Sequence, residues 1–510
     1  MKSFLFASLS LLLVCFVVSR GANTTPPPNI VFILTDDQDV SLGGLDAMPF
    51  TQEFLVAGGM TFANGYVTTP ICCPSRTSTL SGRYGHNLGE QGLHNWCGNF
   101  TGKPIENATW ITALHDAGYK TGFSGKYHNS PPQGFVPKGW DDFFSLNNEC
   151  QYFNNTFNDN GHHVAFGSEP SDYMTSLIGN RTLSFLRNAS ADAAAAAAPI
   201  FLYIAPHSSH MPATPAPWYA QAPLPSMHVA RTPAYNTSGE GKHWVIESLP
   251  PLTEDFGIAI DDIFAMRHRC LLSVDDILRD VVAELKALNK LENTYFIFSS
   301  DHGYNLGTFR LAVEKFHFLE NDIRVPFLMR GPFIPANSTS SALVANIDIG
   351  ATLLDIAGVS PAARPPTDGR SFAPALFNSS SSPSSQSTPQ RDRIVIEYGS
   401  WGTGYVVRGP CSVSCGMCGP ALSQLLDAPS NTYTGLRIIN TTANYAFAEF
   451  RPDSRSPESP ASTNWTEFYD VAVDPYQLVN LALQADKKDV VAQLSKELWQ
   501  SANCIGSACP

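Results

Sequence analysis

Residues 29–39 read NIVFILTDDQD. Ile30 to Leu34 are all apolar, mostly β-branched or aromatic, and the run is too short for a helix. Nearly continuous apolar character of this kind predicts a strand buried on both faces of a mainly parallel sheet. The strand runs straight into Asp36 and Asp37. The same arrangement recurs twice: TYFIFSS (294–300) runs into Asp301-His302-Gly303, and IFLYIA (200–205) runs into Pro206-His207, with His210 just beyond. A fourth apolar run, VPFLMRG, covers 325–331. Between such runs lie helical patterns. In SVDDILRDVVAELKALNK (273–290), Ile277, Val281, Val282, Leu285 and Leu288 recur at helical spacing, and the Ser-Val-Asp-Asp opening suits an N-terminal cap. This alternation predicts an α/β fold built on a large mixed, mainly parallel sheet flanked by helices.

Open parallel sheets bind ligands outside the carboxyl ends of their strands. If the three strands are neighbours, Asp36, Asp37, Asp301, His302, His207 and His210 converge on one edge. Packed carboxylates repel one another, and a cation relieves that repulsion. An oxygen-rich donor set favours calcium or magnesium over zinc. Taken singly, an Asp-Asp pair is a polar strand-end turn and a lone His a satisfied structural imidazole. Two acidic strand ends, Asp36-Asp37 and Asp301-His302, each following an apolar strand, point instead to a metal site. In GFSGKYHN, Lys126 and His128 stand two residues apart, so an extended segment would project both from one face. Lys315, in VEKFHF, is a further basic candidate. Alone, each lysine would read as a solvated surface charge.

The chain has 510 residues, 43% hydrophobic and 15% charged, enough for a large core and more than one compact unit. A net charge of −13 argues against a nucleic-acid partner, and an anionic substrate would need a locally basic pocket. The N-terminus, MKSFLFASLSLLLVCFVVSRGANTT, has a lysine, an apolar run over Phe4–Val18 and then small residues. This predicts a cleavable signal peptide over 1–22, the run being short for a membrane anchor. No later stretch is long and apolar enough to span a bilayer. The mature protein is therefore expected in the secretory pathway, extracellular or lysosomal.

Asn-X-Ser/Thr triplets at Asn23, Asn99, Asn107, Asn154, Asn180, Asn188, Asn236, Asn337, Asn378, Asn440 and Asn464 fit a glycosylated surface in that compartment. Of the 11 cysteines, Cys15 falls in the signal peptide. CSVSCGMC (411–418) lacks a clear fourth zinc ligand, so disulfides are expected there and at Cys504 and Cys509. ADAAAAAAP (191–199) reads as a helix end or tether, and NSSSSPSSQSTPQ (378–390) has linker composition. The expected organisation is a catalytic part over 23–377 and a smaller C-terminal α+β part over 391–510. The latter combines an antiparallel sheet with a terminal helix over 486–500.

Residues 71–83 read ICCPSRTSTLSGR. A helix should follow Pro74, directing backbone N–H groups towards an anion. Adjacent cysteines do not readily bridge each other. The stretch resembles the signature of the type I sulfatases, Cys-X-Pro-Ser-Arg followed by a Leu-Ser/Thr-Gly step. NIVFILTDDQD, GKYHN, APH, SSDHGYNLG, IRVPFLMRGP, NIDIGATLLDIAG and DGRSF occur in family order, so the resemblance spans nearly the whole mature chain. NTYTGLR and EFYDVAVDPYQLVNLA are most similar to the N-acetylglucosamine-6-sulfatase branch and related eukaryotic arylsulfatases. That branch usually has Asn where this chain has His302.

The resemblance implies an alkaline-phosphatase-like fold and oxidation of Cys72 to formylglycine by a formylglycine-generating enzyme. Asp36, Asp37, Asp301 and His302 would bind one calcium ion beside the modified Cys72. Arg76 would hold the aldehyde hydrate, Lys126 and Lys315 would contact sulfate oxygens, and His128 would assist the hydroxyls. His207 would sit near the leaving group, with His210 an alternative for that role. The implied activity is hydrolysis of a sulfate monoester on a sulfated saccharide or an aryl sulfate. A phosphomonoester or phosphodiester hydrolase on the same scaffold, and a catalytically silent glycan-binding protein, are the competing readings.

Overall fold

The computed structural model describes residues 26–89, 105–129, 134–147, 151–191, 197–377, 391–400, 405–408, 423–453 and 460–510. The signal-peptide run, the Ser-rich run 378–390, and Cys97, Cys150, Cys411, Cys415 and Cys418 lie outside the described residues.

Ten strands form the large sheet: β1 (Asn29–Thr35), β2 (Met60–Tyr66), β3 (Lys120–Gly125), β4 (Asp142–Leu146), β5 (Thr156–Asp159), β6 (His162–Ala165), β7 (Ile200–Ala205), β8 (Thr294–Ser300), β9 (Phe327–Arg330) and β10 (Ser338–Ala345). Their spatial order is β10-β2-β9-β8-β1-β7-β3-β4-β5-β6. From β8 through β4 every pairing is parallel. The antiparallel pairs are those of β9 with β8 and β2, and the β4-β5-β6 meander. The sheet is therefore mixed and mainly parallel, as its apolar runs predict.

The β1 strand shows why the run is unbroken. Val31 and Ile33 point into one apolar layer, and Ile30, Phe32 and Leu34 into the other. The first layer holds the Met174–Asn188 and Glu254–Ala287 helices; the second holds the Trp110–Asp116 and Asp348–Ile356 helices. A third layer joins Tyr66, Ile71, Phe316 and Phe318 to a four-stranded antiparallel sheet near the C-terminus. That sheet comprises β11 (Arg393–Tyr398), β14 (Thr432–Ile439), β15 (Asn444–Arg451) and β16 (Trp465–Asp470) in that order. The strands β12 (Tyr405–Arg408) and β13 (Ser423–Asp427) pair separately. A terminal helix covers Lys488–Ser501, close to the expected 486–500.

Two helices depart from their predicted starts: that of the cysteine stretch begins at Cys72, ahead of Pro74, and the long helix departs further. It begins at Glu254, not near Ser273, and runs for 34 residues with Thr253 as its cap. Asp275 caps something else: its carboxylate accepts from Phe50 N (2.8 Å), Thr51 N (2.7 Å) and Thr51 Oγ1 (2.7 Å). A capping residue serves any nearby orphan N–H, and sequence does not reveal that this one belongs to a distant segment.

Candidate active site

The β8, β1, β7 and β3 strands end side by side, in register. Thr35 stands opposite Ser300, and Gly125 opposite Ala205. Each chain then turns over the same edge. Asp301 N donates to Thr35 O (3.1 Å), Asp36 N to Ser208 O (3.0 Å), and Lys126 N to Ala205 O (2.7 Å). Only glycine fits before that last bond: a Cβ on Gly125, whose φ is +126°, would lie 2.0 Å from Ala205 O.

The ICCPSR segment arrives from the side as a helix over Cys72–Ser81, closed by Gly82 at φ +69°. Cys72 is the first helical residue, so it stands at the positive end of the helix dipole. Its Sγ is 3.3 Å from His302 Nε2 and 3.7 Å from Asp36 Oδ1. Cys72 is a free, buried thiol, pushed well above its ordinary pKa by burial. Its neighbour Cys73 is disulfide-bonded, and Cys504 bridges Cys509. Cys270 is the other free cysteine among the described residues.

Three carboxylates and three cations share the site. Lys126 Nζ lies 2.6 Å from Asp36 Oδ2, and Arg76 reaches Asp301 Oδ2 (2.9 Å) and Asp36 Oδ2 (3.4 Å). Lys315 Nζ lies 3.0 and 3.2 Å from the two oxygens of Asp37. All six side chains are buried. Burial opposes ionisation of Asp36 and Asp37, but Lys126 and Arg76 at the first, and Lys315 at the second, hold both carboxyls well below the usual range. Burial likewise opposes charge on Lys315, and Asp37 outweighs it. The carboxylate repulsion expected from sequence is thus met in large part by the protein's own cations.

The imidazoles divide by their partners. His302 Nδ1 lies 2.9 Å from Gly303 O, which makes it the N–H donor and leaves the Nε2 lone pair facing Asp37 Oδ1 (3.4 Å) and Asp301 Oδ1 (3.6 Å). This is the tautomer a metal requires, fixed by a carbonyl behind it. One ligand atom each from Asp36, Cys72, Asp301 and His302 falls within 4.8 Å of the others, as does a second set from Asp36, Asp37, Cys72 and His210. The carboxylate-rich donor set fits a hard divalent cation. His207 Nδ1 lies 3.0 Å from Asp36 Oδ2, and its buried Nε2 has no hydrogen-bond partner among the described residues. The His210 ring lies beside it, tilted by 31° with centroids 4.4 Å apart, and its Nδ1 is bonded to Met211 O (2.6 Å). His128 stands farther along the Cys72 helix, its Nε2 3.4 Å from Thr77 Oγ1. Burial, then the charges of Arg76 and Lys126, push its pKa down to about 3.

The site residues singled out from sequence therefore gather at this edge. Sequence reading passed over the groups that hold them. Ser75 Oγ donates to Asp301 O, and Asn346 Nδ2 reaches Ser75 O and Thr79 Oγ1. Ser300 Oγ accepts from Gln38 N (2.9 Å) and donates to His302 O (2.8 Å). Arg267 donates to the carbonyls of Ser209 and Asp37 from the middle of the long helix. Only the serines' position beside flagged residues could have signalled them.

A family model described as Sulfatase matches residues 28–359. The human N-acetylglucosamine-6-sulfatase is 35% identical over 513 residues, spanning 97% of this chain and 88% of that protein. A solved structure described as a complex with its substrate D-glucosamine-2-N,6-O-disulfate superposes with a TM-score of 0.69 at 20% identity, covering 92% of this chain and 97% of that one. The phosphonate monoester hydrolase from Silicibacter pomeroyi shares the fold at a TM-score of 0.64 and 18% identity, over 94% and 96% of the two chains. With two thirds of the chain matched by the family model and a relative this similar over nearly its full length, the chain belongs to the sulfatase family, enzymes that hydrolyse sulfuric esters.

Proposed function

We propose that the protein removes sulfate from a sulfated saccharide of the N-acetylglucosamine 6-sulfate class, using formylglycine made from Cys72 and one calcium ion. The observation that carries this reading is the setting of Cys72: a buried, unbridged side chain at a helix start, within contact distance of His302 and Asp36. The substrate class rests on the name of the human relative and on the glucosamine disulfate in the structural neighbour.

Asp36, Asp37, Asp301 and His302 would hold the calcium ion, which supplies positive charge beside the sulfate oxygens. Once modified and hydrated, Cys72 supplies two hydroxyls, one to bond sulfur and one whose deprotonation restores the aldehyde and expels sulfate. The chain's own residues do the rest. Lys126 and Lys315 bind sulfate oxygens and stabilise the charge that grows on them. Arg76, tied to Asp301 and to Lys126 O (2.8 Å), orients the Cys72 hydroxyls. His128, neutral because burial disfavours its charged form, accepts a proton from them. His207 is better placed than His210 to protonate the leaving alcohol. Its Nδ1–H is held by Asp36 and its Nε2 is left for substrate, so a proton taken up at Nε2 is the one passed to the leaving oxygen, with Asp36 supporting the charged ring. Three protein cations already balance three carboxylates, so a bound divalent ion leaves the site positive towards an anionic ester.

The secretory route is supported by surface placement of the sequons. Asn107, Asn154, Asn180, Asn188, Asn337, Asn440 and Asn464 are exposed, and Asn236 is half-buried. The Cys504–Cys509 disulfide agrees with an oxidising compartment. Among the described residues no helix is long and apolar enough to cross a membrane. A signal peptide over 1–22, a catalytic unit over 23–377, a linker over 378–390 and a C-terminal unit over 391–510 complete the reading. A formylglycine-generating enzyme is the maturation partner.

Assay of the secreted protein on N-acetylglucosamine 6-sulfate, other defined saccharide sulfates, an aryl sulfate and the matching aryl phosphate tests the proposal. Turnover of the 6-sulfate above its regioisomers supports it. Preference for the phosphate ester, or binding of sulfated saccharide without turnover, contradicts it.

A further inference from the structure

Lys315 does not sit on a strand end. It lies in the loop between β8 and the short helix Glu320–Ile323, between two non-glycine residues of positive φ, Glu314 at +84° and Phe316 at +92°. Residues with a Cβ take that conformation only where the surroundings impose it. On one side Asn305 N donates to Glu314 O (2.7 Å). On the other, Phe316 O accepts two hydrogen bonds from the C-terminal part of the chain: from Asn431 Nδ2 at 3.3 Å and from the Tyr433 hydroxyl at 3.2 Å. Both donors are buried, Tyr433 on β14 and Asn431 just ahead of it. The Asn431 amide is itself oriented, because Nδ2 also donates to Asp427 Oδ1 (2.9 Å).

We infer that Tyr433 and Asn431 are positioning residues for sulfate-ester hydrolysis: by holding the Phe316 carbonyl, they fix the backbone that delivers Lys315 to Asp37 and to the substrate sulfate. The C-terminal sheet thereby completes the catalytic site and does more than border it. This rests on the reading of Lys315 as a sulfate-binding residue. Without the two donors, a loop in a disfavoured conformation relaxes, and a shift of about 1 Å in a charged contact is enough to slow catalysis severely.

The test measures kcat/KM on an aryl sulfate, inhibition by inorganic sulfate and the thermal midpoint. It uses full-length Tyr433→Phe, Asn431→Ala and Lys315→Met, and each of the first two combined with Lys315→Met. Tyr433→Phe removes only the hydroxyl. It should lower kcat/KM by about tenfold or more, and weaken sulfate inhibition in the same direction, with a near-normal thermal midpoint. In the Lys315→Met background it should cost nothing further. Asn431→Ala should behave alike, and it carries the test if Tyr433→Phe does not fold. Wild-type kcat/KM in Tyr433→Phe, or the same fold-loss in both backgrounds, overturns the inference. If Lys315→Met alone keeps wild-type turnover, the reading of Lys315 falls and takes this inference with it. If Lys315→Met is impaired and Tyr433→Phe is not, only the positioning role falls.

Discussion

Lys126 leaves the end of β3 one residue after Gly125 and meets Asp36 at 2.6 Å; Lys315 comes in on a loop and meets Asp37 at 3.0 Å. The first lysine is placed by the sheet, through a backbone bond to the neighbouring strand end. The second is placed from outside, by a loop whose Phe316 carbonyl is held by Asn431 and Tyr433 of the C-terminal part. One half of the charged site is thus a direct product of strand order. The other half depends on residues more than a hundred positions away in sequence.

The largest effect tests whether both halves serve one centre. Cys72→Ser removes the possibility of a second hydroxyl, so turnover on any sulfate ester should fall by more than about a thousandfold while the thermal midpoint holds. Sustained multiple turnover by a homogeneous serine variant would mean that neither lysine works on a Cys72-derived group.

Next, Lys126→Met and Lys315→Met should each lower kcat/KM by on the order of a hundredfold, since each removes a cation from developing charge. They should differ in stability. Asp36 keeps Arg76 at 3.4 Å and His207 at 3.0 Å when Lys126 is lost, whereas Asp37 keeps His302 at 3.4 Å when Lys315 is lost. Urea unfolding should therefore show the larger loss for Lys315→Met, about 3–5 kcal/mol, because it strands a buried carboxylate. Equal losses would erase the distinction between the two halves.

A divalent ion would bridge them. Dialysis against a chelator should reduce both activity and unfolding stability, and calcium should restore both. The stability gain should reach about 2.7 kcal/mol when calcium stands at about a hundred times its Kd. Undiminished activity after exhaustive chelation would contradict the metal assignment.

The smallest effect concerns the outer half alone. Asp427, which orients Asn431, is pushed up to about 6, chiefly by burial. The unfolded carboxyl ionises near its ordinary value, so the folded state alone keeps this proton between about pH 4 and 6. Its stabilising contribution is full below that window and lost as pH rises through about 6. The loss amounts to roughly 1–3 kcal/mol. Asp427→Asn should flatten that part of the stability profile; an unchanged slope would assign it to other groups.

The same contrast explains what could be read from the amino-acid order. The β1, β7 and β8 strands were legible to the residue, because a strand buried on both faces leaves an unbroken apolar run and its polar end is conspicuous. Asp36, Asp301 and His207 came with them. Cys72, Arg76 and Lys126 were legible through a motif resemblance, not through periodicity. Asn346, Asn431 and Tyr433 fall inside stretches quoted for the resemblance, but their roles, like that of Arg267, were not legible. Their partners lie far off in sequence, and a buried hydrogen bond to a carbonyl leaves no local pattern. The start of the long helix failed for a related reason: Asp275 looks like a cap and is one, but for residues 50 and 51.

The central claim is that Cys72 works as an aldehyde and not as a thiol. Mass spectrometry of the Cys72 peptide, from preparations of graded specific activity, tests it most directly. The account predicts that the fraction of peptide carrying formylglycine rises in proportion to activity and that fully active enzyme holds little residual thiol. Full activity with Cys72 intact as a thiol would contradict it.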